Sequence, residues 1–426
     1  MNRMIKYRDE SWDYRYEDTK QLTHCFHKYP AMMIPQVASR LIDEYLKLNP
    51  SCRVVLDPFC GTGTALLEAK RRSLESWGID INPLARLISK TKVTILDSDL
   101  LQATHENIER KLIKIFSDPK EFAKRVSIPE FFNISYWFKQ NIIECLSVMK
   151  SEIIKIKNKD ILDFYKVVFS ETVRGCSNVR SGEFKLFRIP QEKLTNYNPN
   201  VLAIFLQKFN QNLRGYFNYL KDLNEKGYAG VPVHILDEDT RHKTSIPDKI
   251  IDLVVTSPPY GDSKTTVAYG QFSRLSLQWL DFDDYICRCI DKRSLGGNSP
   301  KDDSALRLSK TLKETWTKVK KRDSKRASDL LSFYNDMCLC MKELDRTLKE
   351  KSRICFVVGN RTIKNVTIPT DEILVEIFER FGFELNEIIV RDIPNKTMPL
   401  KNSPTNIPGK AEKTMWNESI VIVDRG

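Results

Sequence analysis

Apolar residues along the chain follow two rhythms. Short runs rich in β-branched residues at 53–57 (RVVLD), 76–80, 231–236, 251–255 (IDLVV), 353–358, 387–390 and 419–423 read as buried strands. Around them apolar positions recur at three- and four-residue spacing, which predicts helices. The first follows Ile34 (Val37, Leu41, Ile42, Tyr45, Leu46), with Pro35 in its first turn. Between Ala85 and about Tyr228 strand signals stop, and helical patterns appear near 112–116, 138–155, 161–173 and 202–223. Further helices are predicted over 307–326, 330–348 and 371–381. Residues 1–23 mix charges with Trp12, Tyr14 and Tyr16 without a period, and read as an irregular arm. Strands alternating with helices, seven in all, specify an α/β sheet interrupted by a large helical insertion.

In open parallel sheets ligands bind beyond the carboxyl ends of the strands, so the residues there are candidates. Strand 53–57 ends at Asp57 and runs into Pro58-Phe59-Cys60-Gly61-Thr62-Gly63-Thr64. Gly61 and Gly63 let the backbone approach a ligand, and free amides at the following helix favour a carboxylate. Asp57 suits a cationic amine. A zwitterionic amino acid fits this pair of charges better than a pyrophosphate, and the spacing is not Gly-x-Gly-x-x-Gly. Asp80 closes the next strand at a spacing suited to binding ribose hydroxyls, and also stands where a helix near Pro83 needs an N-cap. Strand 251–255 is followed by Thr256-Ser257-Pro258-Pro259-Tyr260. Two prolines end the ladder and leave the Ser257 hydroxyl, the Pro258 carbonyl and the Tyr260 ring on one stiff corner that can grip a planar group bearing an amine. Taken alone, that corner also reads as a proline-rich turn.

Taken together, these stretches resemble the DNA amino-methyltransferases, which methylate the exocyclic amine of cytosine or adenine with S-adenosyl-L-methionine. Ser-Pro-Pro-Tyr is similar to their catalytic motif, and serine in first place resembles the cytosine-N4 branch. Asp57 to Thr64 resembles the methionine-binding motif, Asp80-Ile81-Asn82-Pro83 the motif after it, and His24-Cys25-Phe26-His27-Lys28-Tyr29-Pro30-Ala31 a loop that touches the methionine end. The resemblance implies a class I, Rossmann-like methyltransferase fold: a seven-stranded, mostly parallel sheet with its last strand antiparallel. It assigns 1–85 to an arm and the cofactor half, 86–230 to a target-recognition insertion, and 231–426 to the catalytic half with a basic insertion near 262–328. Cofactor contacts are implied for His27, Tyr29, Pro30, Ala31, Asp57, Pro58, Phe59, Gly61, Gly63, Thr64, Asp80 and Ile81. Asp239 matches the acid that takes the adenine amine. Glu238 and Thr240 depart from the usual Gly-Asp-Ala-Arg, which leaves Asp237 a competitor. Catalysis is implied for Ser257, Pro258, Pro259 and Tyr260, with Tyr260 stacking on a flipped base. No Pro-Cys pair is present to supply the nucleophile of ring-carbon methylation.

Composition narrows the partners. With 68 Lys plus Arg against 56 Asp plus Glu, the net charge of +12 favours an anionic partner. Duplex DNA is the expected one. Candidate contacts are Arg174, Asn178, Arg180 and Lys185 in a polar, glycine-broken stretch, Lys264 and Arg274 after the Ser-Pro-Pro-Tyr corner, and Lys396 in a polar loop at 393–406. Nine more Lys or Arg crowd 307–326, read either as a solvated helix face or as phosphate contacts. The ten cysteines lack paired Cys-x-x-Cys spacing and read as reduced thiols, with no metal site expected. Absence of a signal peptide or spanning segment leads to a cytoplasmic expectation. A cognate restriction endonuclease is the partner system the resemblance implies, with a monomer favoured. The rival readings are an adenine-N6 methyltransferase, an RNA guanine-N2 methyltransferase and a catalytically silent recognition subunit.

Overall fold

The structure is a computed structural model that describes residues 5–182, 184–227, 230–262, 266–393, 401–402, 412–413 and 416–426. Its strands are β1 (Lys6–Arg8), β2 (Val54–Asp57), β3 (Glu75–Ile79), β4 (Val233–Leu236), β5 (Ile251–Thr256), β6 (Leu348–Val358), β7 (Thr362–Ile363), β8 (Val366–Thr367), β9 (Glu384–Asp392), β10 (Lys401–Asn402), β11 (Glu412–Lys413) and β12 (Asn417–Arg425). Eight of them form one sheet in the order β1-β9-β12-β6-β5-β2-β3-β4, while β7–β8 and β10–β11 are two-stranded ribbons. All pairings in the large sheet are parallel except those of β12, which runs antiparallel to both β6 and β9. This is the class I, Rossmann-like arrangement, with its antiparallel strand where expected. The strand order reverses between β2 and β5, the switch point at which such sheets bind ligands.

The sheet holds one strand more than the seven expected. β1 pairs in parallel with β9, Lys6 opposite Ile388, so the supposedly irregular arm begins as an edge strand. Three residues, all exposed, carry too little alternation to be read as a strand.

Every residue of β5 is buried because helices cover both faces. Val254 joins a cluster with Leu330, Met337, Leu344, Phe356 and Phe378 on one side. Leu253 and Val255 join Val37, Leu41, Ala65 and Val357 on the other. The insertion between β3 and β4 is helical as expected, with long helices at Ser98–Ser117, Gln140–Ile153, Lys159–Cys176 and Val201–Lys226. Asp97, Asn158 and Asn200 cap three of their N-termini through side-chain oxygens, and Gly227 ends the last in the left-handed region. These helices share one apolar cluster with Phe26, Tyr29, Leu66 and Leu84, so the insertion is built into the cofactor side of the sheet. The basic stretch 307–326 is not one helix. It is divided among Ser304–Leu308, Lys310–Arg322 and Ser324–Thr347, with the side chains of Ser309 and Asp323 each capping a new start. Among the described residues no helix is long and apolar enough to cross a membrane.

Candidate active site

The carboxyl ends of β4, β3, β2 and β5 surround one cavity, and each brings a functional group to it. It is lined by Tyr29, Pro30, Ala31, Asp57, Pro58, Phe59, Gly61, Thr64, Asp80, Ile81, Asp239, Ser257 and Pro259 among others. Thirteen of the residues singled out from the sequence therefore meet around one space, although they come from five separate stretches of chain.

Asp57 is 3% exposed, and its Oδ1 accepts from the Thr256 hydroxyl at 2.6 Å and the Phe59 amide at 3.2 Å. Burial pushes its carboxyl up to about 7, against the effect of those hydrogen bonds. Asp80 accepts from the Gly61 amide at 2.9 Å and the Asn82 amide at 2.7 Å, and burial raises it to about 6. Asn82, rather than Asp80, caps the Pro83–Val93 helix, which settles the alternative role for Asp80. Gly63 sits at φ +75°, and a Cβ there would lie 2.3 Å from the Ser89 hydroxyl. It shapes the turn from beneath without lining the cavity.

Asp239 lines the cavity, while Asp237 lies outside it, exposed and paired with Arg86 at 2.7 Å. Burial works to raise the Asp239 carboxyl, but the Arg241 guanidinium outweighs it and holds the group below its ordinary value. Arg241 grips it with Nε at 2.9 Å and Nη2 at 2.6 Å. Thr240, the departure from the usual alanine, donates to the Pro58 carbonyl at 2.8 Å and ties this turn to the one after β2.

At the end of β5 the Ser257 hydroxyl lies 3.1 Å from the Val357 carbonyl, to which it donates, and 3.2 Å from the Tyr260 hydroxyl. Tyr260 in turn donates to Glu418 Oε1 at 2.8 Å. Glu418 is paired with Arg391, whose other nitrogens reach the carbonyls of Trp12 at 2.7 Å and Asp13 at 3.2 Å. Ser257 and Pro259 line the cavity, whereas Pro258 and Tyr260 are not among its lining residues.

Several sequence expectations need correction. His27 does not line the cavity. It is 2% exposed, with Nδ1 donating to the Lys28 carbonyl at 2.5 Å and Glu171 3.3 Å away. Burial lowers its pKa and favours the neutral ring. Arg174 belongs to the last turn of the Lys159–Cys176 helix, lies 3.5 Å over the Phe272 ring and donates to the Phe272 carbonyl at 2.6 Å. Asn178 is 2% exposed and donates to the Tyr136 carbonyl at 3.1 Å. Arg174 thus ties the insertion to the Tyr269–Trp279 helix and Asn178 ties two parts of the insertion together, so the groups expected to meet DNA are spent on internal carbonyls. Arg180 is exposed, whereas Lys185 and Arg274 are half-buried. Lys264, Lys396 and most of the 393–406 loop lie outside the described residues. The cavity also includes residues beyond those assigned to the cofactor or to catalysis from the sequence. Tyr269 stacks on Tyr29 at 5.8 Å, and Arg241, Arg293 and Leu295 close the far wall. Arg293 and Leu295 carry no local signal, because they reach the cavity only through the packing of the 262–328 segment. Arg241, by contrast, stands in the turn compared with Gly-Asp-Ala-Arg, and Tyr269 in the aromatic stretch after the Ser-Pro-Pro-Tyr corner that was expected to line the target pocket.

A family model described as DNA methylase matches residues 2–90. A type II methyltransferase of Kocuria varians, M.MvaI, is 40% identical over 417 residues, covering 95% of this chain and 92% of its own. The chain belongs to the DNA methyltransferases of the N4/N6 type. M.BsoBI of Geobacillus stearothermophilus, another type II methyltransferase, is 22% identical over 95% of this chain and 86% of its own. Among solved structures, the rRNA methyltransferase aviRa from Streptomyces viridochromogenes aligns at a TM-score of 0.33 and 12% identity, covering 94% of this chain and 89% of that one. S-adenosyl-L-methionine is the cofactor that membership of this family implies. Its donor set fits the cavity: buried acids stand ready for an ammonium and for hydroxyls, and a glycine turn leaves room for a chain bearing a carboxylate.

Proposed function

We propose that the chain methylates the exocyclic N4 amine of cytosine in duplex DNA, as the modification enzyme of a restriction-modification system. The Ser257 hydroxyl carries the reading: it lines the cavity and can give its proton to the Val357 carbonyl, leaving its lone pairs to accept from an amine. When bound, S-adenosyl-L-methionine supplies an activated methyl group. Asp57 holds its ammonium, Asp80 its ribose, and Asp239, fixed by Arg241, its adenine amine. Ser257 and the Pro258 carbonyl accept the amine protons of the target base, which draws the nitrogen lone pair out of the ring and aims it. Tyr260, pinned through its hydroxyl, presents a fixed ring for a base turned out of the duplex. Such stacking contributes roughly 1–3 kcal/mol. Arg180, Lys185, Arg274, Lys264 and Lys396 are the proposed DNA contacts.

Serine at the first place of the motif favours cytosine over adenine. Nucleoside mass spectrometry of DNA treated with the purified protein and S-adenosyl-L-methionine tests this: N4-methylcytosine is the expected product, and N6-methyladenine would overturn the assignment of the base.

A further inference from the structure

Lys92 lies beneath the same cavity and has no part in the scheme above. It is 1% exposed, on the Pro83–Val93 helix, and its ammonium donates to the Thr62 hydroxyl at 3.3 Å. Thr62 is part of the cavity lining, between Gly61 and Thr64. Its own proton goes to the sulfur of Met32, also at 3.3 Å, which is a weak acceptor.

A buried ammonium is costly without a counter-charge. Glu68, an acid that acts on Lys92, is already engaged by His24 at 3.0 Å, Arg71 at 2.9 Å and Arg72 at 3.0 Å. Nearby Lys70 adds another cation, its ammonium held by the Val93 carbonyl at 2.6 Å. Arg71 and Arg72 also hold Asp222 at 2.8 Å and Asp43 at 2.6 Å, whereas among the described residues no carboxylate is paired with Lys92, and the Thr62 side chain that its ammonium contacts belongs to the cavity lining.

We propose that Lys92 is a positioning residue for the cofactor: a fixed positive charge that, through the Thr62 hydroxyl, receives the carboxylate of the methionine end. This rests on the reading that the methionine end lies at the 61–64 turn. Thr62 then exchanges a sulfur for a carboxylate as acceptor, and the Lys92 ammonium polarises the hydroxyl between them.

Calorimetry with two probes tests it. S-adenosylhomocysteine carries the carboxylate; 5′-methylthioadenosine keeps the nucleoside and sulfur but lacks the amino-acid end. Lys92→Met is expected to weaken S-adenosylhomocysteine by about tenfold or more while leaving 5′-methylthioadenosine within about twofold. Retained binding of the second probe also reports an intact fold. Thr62→Val, which keeps the lysine, is expected to shift the same ratio in the same direction. Equal losses for both probes, or no loss for either, would overturn the role of Lys92. Failure of the unmutated protein to bind S-adenosylhomocysteine would instead overturn the underlying reading of the site.

Discussion

Asp57 is about half-protonated near neutrality, and on the proposed reading that proton must leave before the acid can pair with the cofactor's ammonium. Its folded pKa of about 7 lies above the ordinary carboxylate value, so the free protein takes up this proton as pH falls through 7. For stability the sign follows directly: the group's contribution is fully present below the unfolded pKa of about 3.9 and is lost as pH rises through about 7. For binding the sign is opposite, since only the ionised acid pairs with an ammonium. Affinity for S-adenosylhomocysteine should therefore fall between pH 8 and pH 6, approaching about tenfold per unit below the pKa. Asp57→Asn should flatten that part of the calorimetric pH profile. Gly63 makes a steric prediction at the same scale. Gly63→Ala forces a side chain into the left-handed region, at a cost of about 1–2 kcal/mol, and onto Ser89. Adding Ser89→Gly should recover only the clash, which urea unfolding of the single and double variants will show. Asp57, Asp80, Gly61 and Ser257 were legible because each follows a recognisable strand. His27, Arg174 and Asn178 were misplaced because a polar side chain satisfying buried carbonyls reads, in sequence, like one waiting for a ligand.

The strands were legible wherever helices bury both faces, since β2 and β5 then become unbroken apolar runs. Edges were not: β1 is held by backbone pairing to β9, and its exposed side chains leave no pattern. The breaks in the basic stretch were missed for a related reason, because Ser309 and Asp323 act as caps within a continuous run of helix formers. The connection between Tyr260, Glu418, Arg391 and the carbonyls of Trp12 and Asp13 joins β12, β9 and the arm to the catalytic corner. Glu418→Gln leaves the Arg391 guanidinium, 4% exposed, without its counter-charge. It should cost about 3 kcal/mol in chemical unfolding. It should also lower kcat for methylation while leaving the affinity for S-adenosylhomocysteine unchanged, because Tyr260 is left with a neutral amide oxygen as acceptor in place of a carboxylate, while the acids around the cavity keep their partners.

Across the whole molecule, positive charge gathers where the active edge of the sheet meets solvent. Lys318, Lys320, Lys321 and Lys325 are exposed at the junction of two helices, and Arg322 there donates to the Lys364 carbonyl at 2.5 Å, in the turn of the ribbon that follows β6. That ribbon leaves β6 at its carboxyl end, the edge on which the cavity opens. DNA binding should therefore weaken steeply with salt. Replacing Lys318, Lys321 and Lys325 by alanine should weaken all sequences about equally and reduce the slope of log K against log salt by about one for each phosphate no longer neutralised. An unchanged slope in fluorescence anisotropy would place DNA elsewhere.

β12 lies between β6 and β9, hydrogen-bonded to both along its length, and it brings Glu418 to Tyr260. In the order of synthesis it is the last strand of the sheet to leave the ribosome. Until it arrives, β6 has an open edge, β9 and β1 form a detached ribbon, and Tyr260 lacks its anchor, although every residue around Asp57 and Ser257 has already been made. The support that holds Tyr260 is thus added only once β12 has been made, and a nascent chain that has folded the strands around Asp57 still lacks it.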